Sequence, residues 1–267
     1  IIIMIKKLLQ DIFISFGYKL INLKKDKSNL EQYYKKIIDT PNPIIFDVGA
    51  NKGQSIEKFK NYYKDCILHS FEPNINLKSD LEKIISNHKN ITLNFFGLGD
   101  KVEKKEFFKY KMHRFNSFNK IDTEKIWLNE RAKTINSSAA DLFINNDLAP
   151  IDTIDNYCNK NKIDKIDILK IDTQGYEKNV IEGAIEMIKN NKVDLIELEL
   201  IFTEVYNETN IYDIEKFLIP NNYKLFGNNT YGNLFSDYFW QTEHVYISKT
   251  KYEKIKIDKR FKSFSKS

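Results

Sequence analysis

Residues 44–55, with the sequence IIFDVGANKGQS, constrain the fold more than any other part of the chain. An apolar run rich in β-branched residues opens the stretch and predicts a short buried strand. Asp47 lies near the end of that run, Gly49 and Gly53 follow, and apolar residues at helical spacing continue to Tyr63. The pattern predicts a strand, a tight turn and a helix, with Asp47 at the carboxyl end of the strand, where open α/β sheets bind their ligands.

The glycine spacing in this turn indicates which ligand it suits. Dinucleotide sites carry G-x-G-x-x-G, in which the second glycine admits a pyrophosphate over the helix N-terminus. Here Asn51 replaces that second glycine, between Gly49 and Gly53. A ligand without a phosphate therefore fits better, and Asp47 before the turn suits a cationic group such as an amine or a sulfonium. A glycine turn with a purely structural role is the alternative.

The length and the charge fit one large domain that can bury a substantial core. The 267 residues contain 42 Lys and Arg against 37 Asp and Glu, a net charge of +5. Much of the excess lies in the two tails, so the charge does not describe a nucleic-acid groove, and no nucleic-acid partner is expected. We predict that residues 250–267 form a solvated, partly disordered basic tail rather than a binding arm.

The two cysteines, Cys66 and Cys158, lie far apart, and the sequence has no C-x-x-C motif and no histidine cluster. This pattern predicts neither a disulfide framework nor a zinc site, and it favours a reducing compartment. Lys6 and Lys7 interrupt the first apolar residues and no small-residue cleavage site follows, so neither a membrane span nor a signal peptide is expected. The expected location is cytoplasmic.

Two further strands are predicted to lead into acidic residues. Residues 67–74 (ILHSFEPN) indicate a strand followed by Glu72, which comes after Asp47 at the distance where a βαβ unit places a carboxylate on a ribose diol. A carboxylate that caps the next helix is the alternative for Glu72. A third strand, residues 91–96, precedes the sequence GLGD, in which Asp100 would accept a hydrogen bond from an adenine amine or serve as an ordinary turn aspartate.

A second motif, residues 166–177 (IDILKIDTQGYE), predicts a buried strand that carries Lys170, leads into Asp172 and turns into a helix. Residues 193–200 predict a fifth strand that brings Glu199 to the same edge of the sheet. With the acidic residues of the earlier strands, five carboxylates then converge on one edge. Such a cluster is unfavourable unless a ligand or a basic group offsets it, so it favours a functional site.

The N-terminal region predicts helices over residues 5–20 and 30–38, which together form a helical extension over residues 1–40. The first helix carries an apolar stripe along one face. This stripe is predicted to pack on the domain or on a second subunit, as a dimer contact. A peripheral contact with a membrane surface is the alternative.

Apart from a strand predicted near 106–110, residues 103–150 show no regular spacing of apolar residues. Residues 119–150 are predicted to be a substrate-facing insertion. The rest of the chain has clearer patterns. They predict a helix that begins near residue 151 with an aspartate cap, helices over 180–188 and 212–218, a strand over 223–226, an aromatic loop over 231–240 that forms a substrate lip or a core patch, and a final strand over 244–248.

The motifs at 46–53 (FDVGANKG), 71–73 (FEP) and 169–177 (LKIDTQGYE) together resemble the FkbM family of S-adenosylmethionine-dependent methyltransferases. The first motif is shared by many methyltransferases, whereas the last is more specific to this family. The resemblance implies the class I methyltransferase fold, a Rossmann-like α/β architecture. Its doubly wound, mostly parallel seven-stranded sheet has an antiparallel last strand and would occupy residues 41–249.

The resemblance also implies an activity and a set of site residues. A methyl group would pass from S-adenosylmethionine to a hydroxyl oxygen of a small molecule, such as a sugar of a surface glycan or a secondary metabolite. Glu72 would hold the ribose hydroxyls and Asp172 would lie beside the sulfonium. The residues implied to bind the cofactor are Asp47, Gly49, Ala50, Asn51, Gly53, Ser55, Glu72, Pro73, Leu98, Gly99, Asp100 and Asp172.

The reaction predicted from this resemblance is an in-line displacement at the methyl carbon, in which a carboxylate removes the proton of the acceptor hydroxyl. A general base of this kind typically adds about 10²–10⁴-fold to the rate. Asp172 and Glu199 are the candidate bases. Lys170 would orient a carboxylate, hold an oxyanion or form a plain ion pair. No spacing of the carboxylates demands a metal ion.

Other function classes compete with this interpretation. A nicotinamide-dependent oxidoreductase would need a third glycine after Gly53, where Gln-Ser-Ile follows instead. A non-catalytic binding or partner module would have lost motif residues, whereas Asp47, Glu72 and Asp172 are intact. A nucleic-acid methyltransferase would need a basic groove and a motif such as Asn-Pro-Pro-Tyr after the fourth strand, where Asp-Thr-Gln-Gly stands.

Overall fold

The structure is a computed structural model that describes residues 2–17, 34–201, 205–206, 210–231 and 241–257. Within these residues the strands form a large sheet and a small one. The strands are β1 (Ile44–Val48), β2 (Ile67–Phe71), β3 (Ile91–Asn94), β4 (Gly97–Leu98), β5 (Glu103–Tyr110), β6 (Phe143–Asp152), β7 (Ile166–Ile171), β8 (Val193–Ile201), β9 (Tyr223–Tyr231) and β10 (Gln241–Ser248).

Helices alternate with the strands of the large sheet, as expected for crossover connections between parallel strands. The helices of the described residues are α1 (Ile2–Ser15), α2 (Tyr34–Ile37), α3 (Gln54–Tyr62), α4 (Lys78–Ile85), α5 (Ile126–Lys133), α6 (Ile154–Asn161), α7 (Glu177–Glu182), α8 (Ile185–Lys189), α9 (Ile211–Leu218) and α10 (Lys249–Ile257). The helices predicted after the first, second and fifth strands are therefore confirmed.

The large sheet has the strand order β3-β2-β1-β7-β8-β10-β9. The first five strands of that order pair in parallel, while β10 runs antiparallel to both β8 and β9. This arrangement confirms the predicted seven-stranded, mostly parallel sheet with an antiparallel last strand. The small sheet has the order β4-β6-β5.

The central strands β1, β7 and β8 of the large sheet are buried on both faces, which explains why they are mostly apolar. Ile168 and Leu169 of β7 are neighbours that point to opposite faces, and both have 0% exposure. Ile168 belongs to a cluster with Ile56 and Phe59 from the region of α3, whereas Leu169 belongs to a cluster with Val180 of α7. The two apolar clusters fix the sheet between its helices.

β1 lies where the strand order reverses, with β2 on one side and β7 on the other. In open α/β sheets the crevice outside the carboxyl ends of such strands is the usual ligand site. The register places Asp47 of β1 beside Lys170 of β7 and Ser70 of β2. The predicted acidic edge therefore lies at the crevice.

The region predicted as an irregular insertion, residues 119–150, contains regular structure. β6 begins at Phe143 and pairs antiparallel with the predicted strand that is now β5. The first six residues of β6 are exposed, so the strand lacks the alternation of apolar residues that reveals a strand in a sequence. Pairing with β5 supplies the stabilisation that its side chains do not.

The predicted aspartate cap of the next helix is wrong. Asp152 ends β6, and Thr153 caps α6 through its Oγ1, which accepts a hydrogen bond of 3.0 Å from the backbone N–H of Asn156. A threonine hydroxyl satisfies a free N–H of the first helical turn as well as a carboxylate does. The two residues are adjacent, so the sequence alone does not separate them.

The helix predicted over 180–188 is divided into α7 and α8 at Gly183. The carbonyl of Gly183 accepts a hydrogen bond of 2.9 Å from the N–H of Asp155. A Cβ on Gly183 would overlap the carbonyl oxygen of Gly99. Gly183 thus lets two backbone segments meet, and the helix ends where they do.

The first part of the predicted basic tail, residues 250–267, is helical, and its partial disorder stays a prediction. Residues 250–257 belong to α10, whose Ile255 is buried and whose Tyr252 ring lies 4.5 Å from Lys224 Nζ. Residues 258–267 lie outside the described part of the chain. Burial of one apolar side chain in a lysine-rich segment gives little periodic signal in the sequence.

The N-terminal helix is confirmed as α1, and its predicted apolar stripe is exposed. The side chains on it are between 40% and 73% exposed: Leu8, Leu9, Ile12, Phe13 and Phe16. A contact of this stripe with a second subunit or a membrane surface stays a prediction. Of the helix predicted over 30–38, residues 30–33 lie outside the described residues, as do residues 232–240 of the predicted aromatic loop.

None of the helices in the described part of the chain is long and apolar enough to cross a membrane.

Substitution of Gly183 by alanine tests the contact between α7 and the segment after β4. We expect Gly183→Ala to lower the free energy of unfolding by about 1–3 kcal/mol, because the added methyl group has no room against Gly99. Urea denaturation followed by circular dichroism measures the change. Lys189→Ala, on an exposed position of α8, is the control and should change stability by less than about 0.5 kcal/mol. Equal stability of Gly183→Ala and the parent protein would contradict the prediction.

Candidate active site

A cavity of about 300 Å³ opens at the carboxyl ends of β1, β2 and β7. The small sheet and the turn after β5 form its other wall. Its volume lies at the lower end of the range for small-molecule sites. It is lined by Val48, Gly49, Asn51, Phe71, Glu72, Pro73, Gly97, Leu98, Phe107, His113, Arg114, Phe115, Asn116, Phe118, Arg131, Asp172, Thr173, Gln174, Glu199, Ile201 and Gln241.

Lys170 is a cation among the carboxylates behind the cavity. Its Nζ lies 3.3 Å from Asp172 Oδ2 and 3.6 Å from Asp47 Oδ1. Burial acts to lower the pKa of Lys170, but the charges of Asp172, Asp47 and Glu199 raise it above its ordinary value. Lys170 therefore stays protonated and forms ion pairs, a contact that fits both the orienting role and the plain ion pair predicted for it. It does not line the cavity.

Asp47 is fully buried at the end of β1 and also lies behind the cavity. Its Oδ2 accepts a hydrogen bond of 2.6 Å from Ser55 Oγ. Burial raises the pKa of Asp47, and Lys170 and Ser55 oppose part of that effect. Asp47 and Ser55 thus lie behind the cavity and do not line it, so the cofactor contacts that the resemblance implies for them stay predictions.

Asp172 and Glu199 form a pair of carboxyl groups on the cavity wall. Gln174 Nε2 donates to both, at 2.8 Å to Asp172 Oδ1 and 3.0 Å to Glu199 Oε2. Gln241 Nε2 donates to Glu199 Oε1 on the other side. The two predicted bases are therefore brought together and held by two amide side chains.

The environments of these two carboxyls push their pKa values apart. Burial and the charge of Asp172 raise the pKa of Glu199 well above its ordinary value. Burial opposes ionisation of Asp172 as well, but Lys170, Gln174 and the neighbouring Glu199 hold its pKa below the ordinary value. As the pH rises, Asp172 is therefore the first of the two to lose its proton and Glu199 the second. Two carboxyl groups that differ in this way are typical of acid–base sites.

Glu72 lies at the other end of the cavity and is held by backbone N–H groups. Asn51 N–H donates to its Oε2 at 2.7 Å and Asn74 N–H to its Oε1 at 2.8 Å. Burial raises the pKa of Glu72 to about 7, and these two bonds oppose that effect. The carboxylate is thereby fixed in one orientation with its face toward the cavity.

Asn51 has the left-handed backbone angle φ of 47°, which turns the chain between β1 and α3. Its side-chain Oδ1 is buried and accepts no hydrogen bond from the described residues. Because Asn51 also lines the cavity, this oxygen is an acceptor for a donor group of a ligand. The residue that replaces the second glycine of a dinucleotide motif is thus itself part of the site.

The glycines of the turn are required mainly by packing within the protein. Gly49 has φ of 88°, and a Cβ there would overlap the backbone carbonyl of Asp172. Gly53 has φ of 82°, and a Cβ there would lie 2.7 Å from Ile84 Cδ1. Both glycines are implied to bind the cofactor, but only Gly49 of the two lines the cavity.

The remaining predicted cofactor residues divide into two groups. Pro73 and Leu98 line the cavity, whereas Ala50, Gly99 and Asp100 do not. Asp100 is exposed, and its Oδ1 accepts a hydrogen bond of 3.0 Å from Asn179 Nδ2. The adenine contact predicted for Asp100 therefore stays a prediction, and the geometry favours the alternative of a turn aspartate.

The wall opposite Glu72 is tied to the second motif by side-chain hydrogen bonds. Ser117 Oγ donates to the carbonyl of Thr173 at 3.2 Å, and Asn119 Nδ2 donates to the carbonyl of Gly175 at 2.6 Å. Tyr206 OH donates to the carbonyl of Phe115 at 3.0 Å. The segment 113–119 is thereby fixed against the loop that carries Asp172.

Several cavity residues escaped the sequence analysis. Gln174 stands two residues after Asp172, and its position in a strand-end motif was a usable signal. Gln241 lies on β10, whose antiparallel pairing brings it beside Glu199, and Arg114 and Arg131 come from the region after β5. These three are distant from the motifs in sequence, so only the fold reveals them.

The described residues contain no group of three or more His, Cys, Asp or Glu side chains arranged to hold a metal ion. The carboxylates of the site instead have Lys170, glutamine amides and backbone N–H groups as partners. Cys66 and Cys158 are both buried and free.

The strand order and the carboxylate-lined cavity at the ends of β1, β2 and β7 define the class I methyltransferase fold. A model of the methyltransferase FkbM domain matches residues 47–225, which is more than half of the chain. The chain belongs to the FkbM methyltransferase family, and the resemblance inferred from its three motifs is confirmed.

Solved structures of methyltransferases are similar to this chain at low sequence identity. The methyltransferase FkbM from Methylobacillus flagellatus KT has 14% identity and a TM-score of 0.47, over 76% of this chain and 44% of that chain. Magnesium protoporphyrin IX methyltransferase from Synechocystis PCC 6803, solved with bound SAM, has 11% identity and a TM-score of 0.41, over 91% and 96%. This chain thus spans less than half of the M. flagellatus protein. Curated protein sequences give no match.

Glu197 of β8 is a further buried carboxyl near Lys170, its register neighbour on β7. It is 3% exposed, and its Oε2 accepts no hydrogen bond from the described residues. Burial, and then the charge of Glu243, raise the pKa of Glu197 to about 8. Glu197 is therefore neutral below that pH.

This raised pKa predicts how stability depends on pH. The unfolded chain ionises Glu197 near its ordinary pKa, while the folded chain keeps it protonated up to about pH 8. The contribution of Glu197 to the free energy of unfolding is therefore fully present below the pKa of the unfolded chain, and it falls as the pH rises toward 8. Between pH 6 and 8 we expect the parent protein to lose about 1 kcal/mol per pH unit relative to Glu197→Gln. Urea denaturation at several pH values measures both, and parallel curves would contradict the prediction.

Proposed function

We propose that this protein transfers a methyl group from S-adenosylmethionine to a hydroxyl oxygen of a small molecule, such as a sugar of a surface glycan or a secondary metabolite. Membership of the FkbM family supports methyl transfer. The observation that carries the proposal is the pair formed by Asp172 and Glu199, whose pKa values are shifted in opposite directions, in the same cavity as Glu72. That pair supplies a base beside a site suited to the cofactor.

The residues around Glu72 fit S-adenosylmethionine. The Glu72 carboxylate would accept hydrogen bonds from both ribose hydroxyls, since backbone N–H groups hold it in place. The unpartnered Asn51 Oδ1 would accept a hydrogen bond from a donor such as the amino group. The Asp172 carboxylate would offset a positive charge. When bound, S-adenosylmethionine supplies an electrophilic methyl group on a sulfonium centre.

The carboxyl pair removes the proton of the acceptor. During methyl transfer, Asp172 would accept the proton that the acceptor hydroxyl gives up. Lys170 and Gln174 hold Asp172 in place and keep it ionised. A positioned base of this kind contributes about 10²–10⁴-fold to the reaction rate. Alignment of the reacting groups in the cavity would contribute the rest of the rate acceleration.

The competing functions have weaker support. A nicotinamide cofactor carries a pyrophosphate, but Glu72 and Asp172 give the cavity a negative wall and Asn51 fills the place of the second glycine. A non-catalytic partner module has no need for a carboxyl pair held by two glutamines. The cavity geometry thus favours an enzyme.

Ligand titration tests the cofactor assignment. We expect S-adenosylmethionine and S-adenosylhomocysteine to bind in calorimetry at micromolar concentration, and NAD not to bind. Glu72→Ala should weaken S-adenosylhomocysteine binding by about 10–100-fold, because two charge-assisted hydrogen bonds are lost. Asp100→Ala should stay within about twofold, because Asp100 does not line the cavity. Unchanged binding by Glu72→Ala would refute the ribose assignment, and loss of binding by Asp100→Ala would restore the predicted adenine contact.

Turnover tests the carboxyl pair. With a responsive acceptor, Asp172→Asn should lower kcat by about 10²–10⁴-fold, since the ionised base is lost. The kcat of the parent protein should fall when the pH drops far enough to protonate Asp172, because that proton blocks the base. Glu199→Gln should lower kcat less than Asp172→Asn, because the ionised base of the pair is retained. Release of S-adenosylhomocysteine is the measurement, and full turnover by both variants would exclude both residues as the base.

A further inference from the structure

The acceptor end of the cavity carries positive charge, which neither the motifs nor the cofactor explains. Arg114 comes from the turn directly after β5, and Arg131 comes from α5. Both line the cavity on the side away from Glu72. Two separate elements of the chain thus place a guanidinium group at the same end of the site.

Each arginine is positioned by buried neighbours. Phe115, next to Arg114, is 2% exposed, and its ring centroid lies 5.3 Å from the Arg114 guanidinium carbon. Leu128 and Ala132 of α5 are both 0% exposed and fix the turn of the helix that carries Arg131. The backbone that carries each arginine is therefore anchored by a buried neighbour, while Arg114 itself is exposed and Arg131 is half-buried.

The two positive charges affect one another. Burial, and then the charge of Arg131, lower the pKa of Arg114, while Glu199 raises it. Arg114, Arg131 and Glu199 all line the cavity, so these charges lie close to one another on its wall. An anion bound at this end of the cavity would interact favourably with both guanidinium groups.

We propose that the acceptor carries an oxyanion group, a carboxylate or a phosphate, which Arg114 and Arg131 bind beside the hydroxyl to be methylated. This inference rests on the proposed function and narrows it to acidic acceptors. Planar guanidinium groups match the oxygens of both anions through paired hydrogen bonds. The acceptor is thus a hydroxylated molecule with an acidic group near its reactive oxygen.

The test uses three probes of one scaffold, measured with S-adenosylhomocysteine at saturation: glucuronate, glucose 6-phosphate and neutral glucose. We expect at least one anionic probe to bind at least about tenfold more tightly than glucose. Arg114→Gln and Arg131→Gln should each weaken binding of that anionic probe by about tenfold and leave the affinity for glucose unchanged. Comparison of glucuronate with glucose 6-phosphate separates a carboxylate from a phosphate.

Lys133→Gln is the matched control, because it removes one positive charge from an exposed position on the same helix. Its affinity for the anionic probes should equal that of the parent protein. Binding of S-adenosylhomocysteine and circular dichroism confirm that each variant is folded. An equal loss of affinity for the anionic probes in Lys133→Gln would show that the general surface charge, and not the two arginines, determines binding, and it would overturn the inference.

The outcomes distinguish this inference from the proposed function. If S-adenosylhomocysteine does not bind the parent protein, the proposed function fails and the inference fails with it. If S-adenosylhomocysteine binds but the anionic probes show no preference over glucose, or a preference that survives both arginine substitutions, only the inference fails. Arginine-dependent binding of either anionic probe supports it.

Discussion

The charge of Lys170 is the interaction on which the rest of the site depends. Three strands would otherwise bring carboxylates together in a place with little water, and buried charges of one sign are strongly unfavourable. One ammonium group between Asp47 and Asp172 lowers that cost. It also decides which carboxyl is ionised, because Asp172 contacts Lys170 while Glu199 contacts two amides. A single buried lysine thus converts a set of acidic residues into an ordered acid–base pair.

The fold could be predicted closely from the sequence because its central strands are buried on both faces. Continuous apolar runs, such as the one before Asp47, mark such strands, and the glycine turns mark their ends. The elements that were mispredicted have few buried side chains. β6 is stabilised by pairing with β5, α10 buries mainly Ile255, and the break at Gly183 depends on a contact with a distant carbonyl.

The residues of the candidate site also divide into those that the sequence marks and those that only the fold reveals. Asp172, Glu199, Glu72 and Asn51 belong to strand ends and turns, so the sequence motifs place them at one edge. Gln241, Arg114 and Arg131 reach the cavity from other elements. No local pattern marks them, since an arginine on a helix such as α5 is ordinarily a solvated surface residue. Local sequence therefore predicts the cofactor end of the cavity and says little about the acceptor end.

The contact between Gly49 and the carbonyl of Asp172 has a consequence for how such an enzyme diversifies. The turn after β1 and the residue that ends the β7 motif touch through backbone atoms, with no space for a side chain between them. Their spacing therefore does not depend on the side chains of the opposite wall. Substitutions in that wall would change the shape and charge of the cavity while the spacing of Gly49 and Asp172 stays the same.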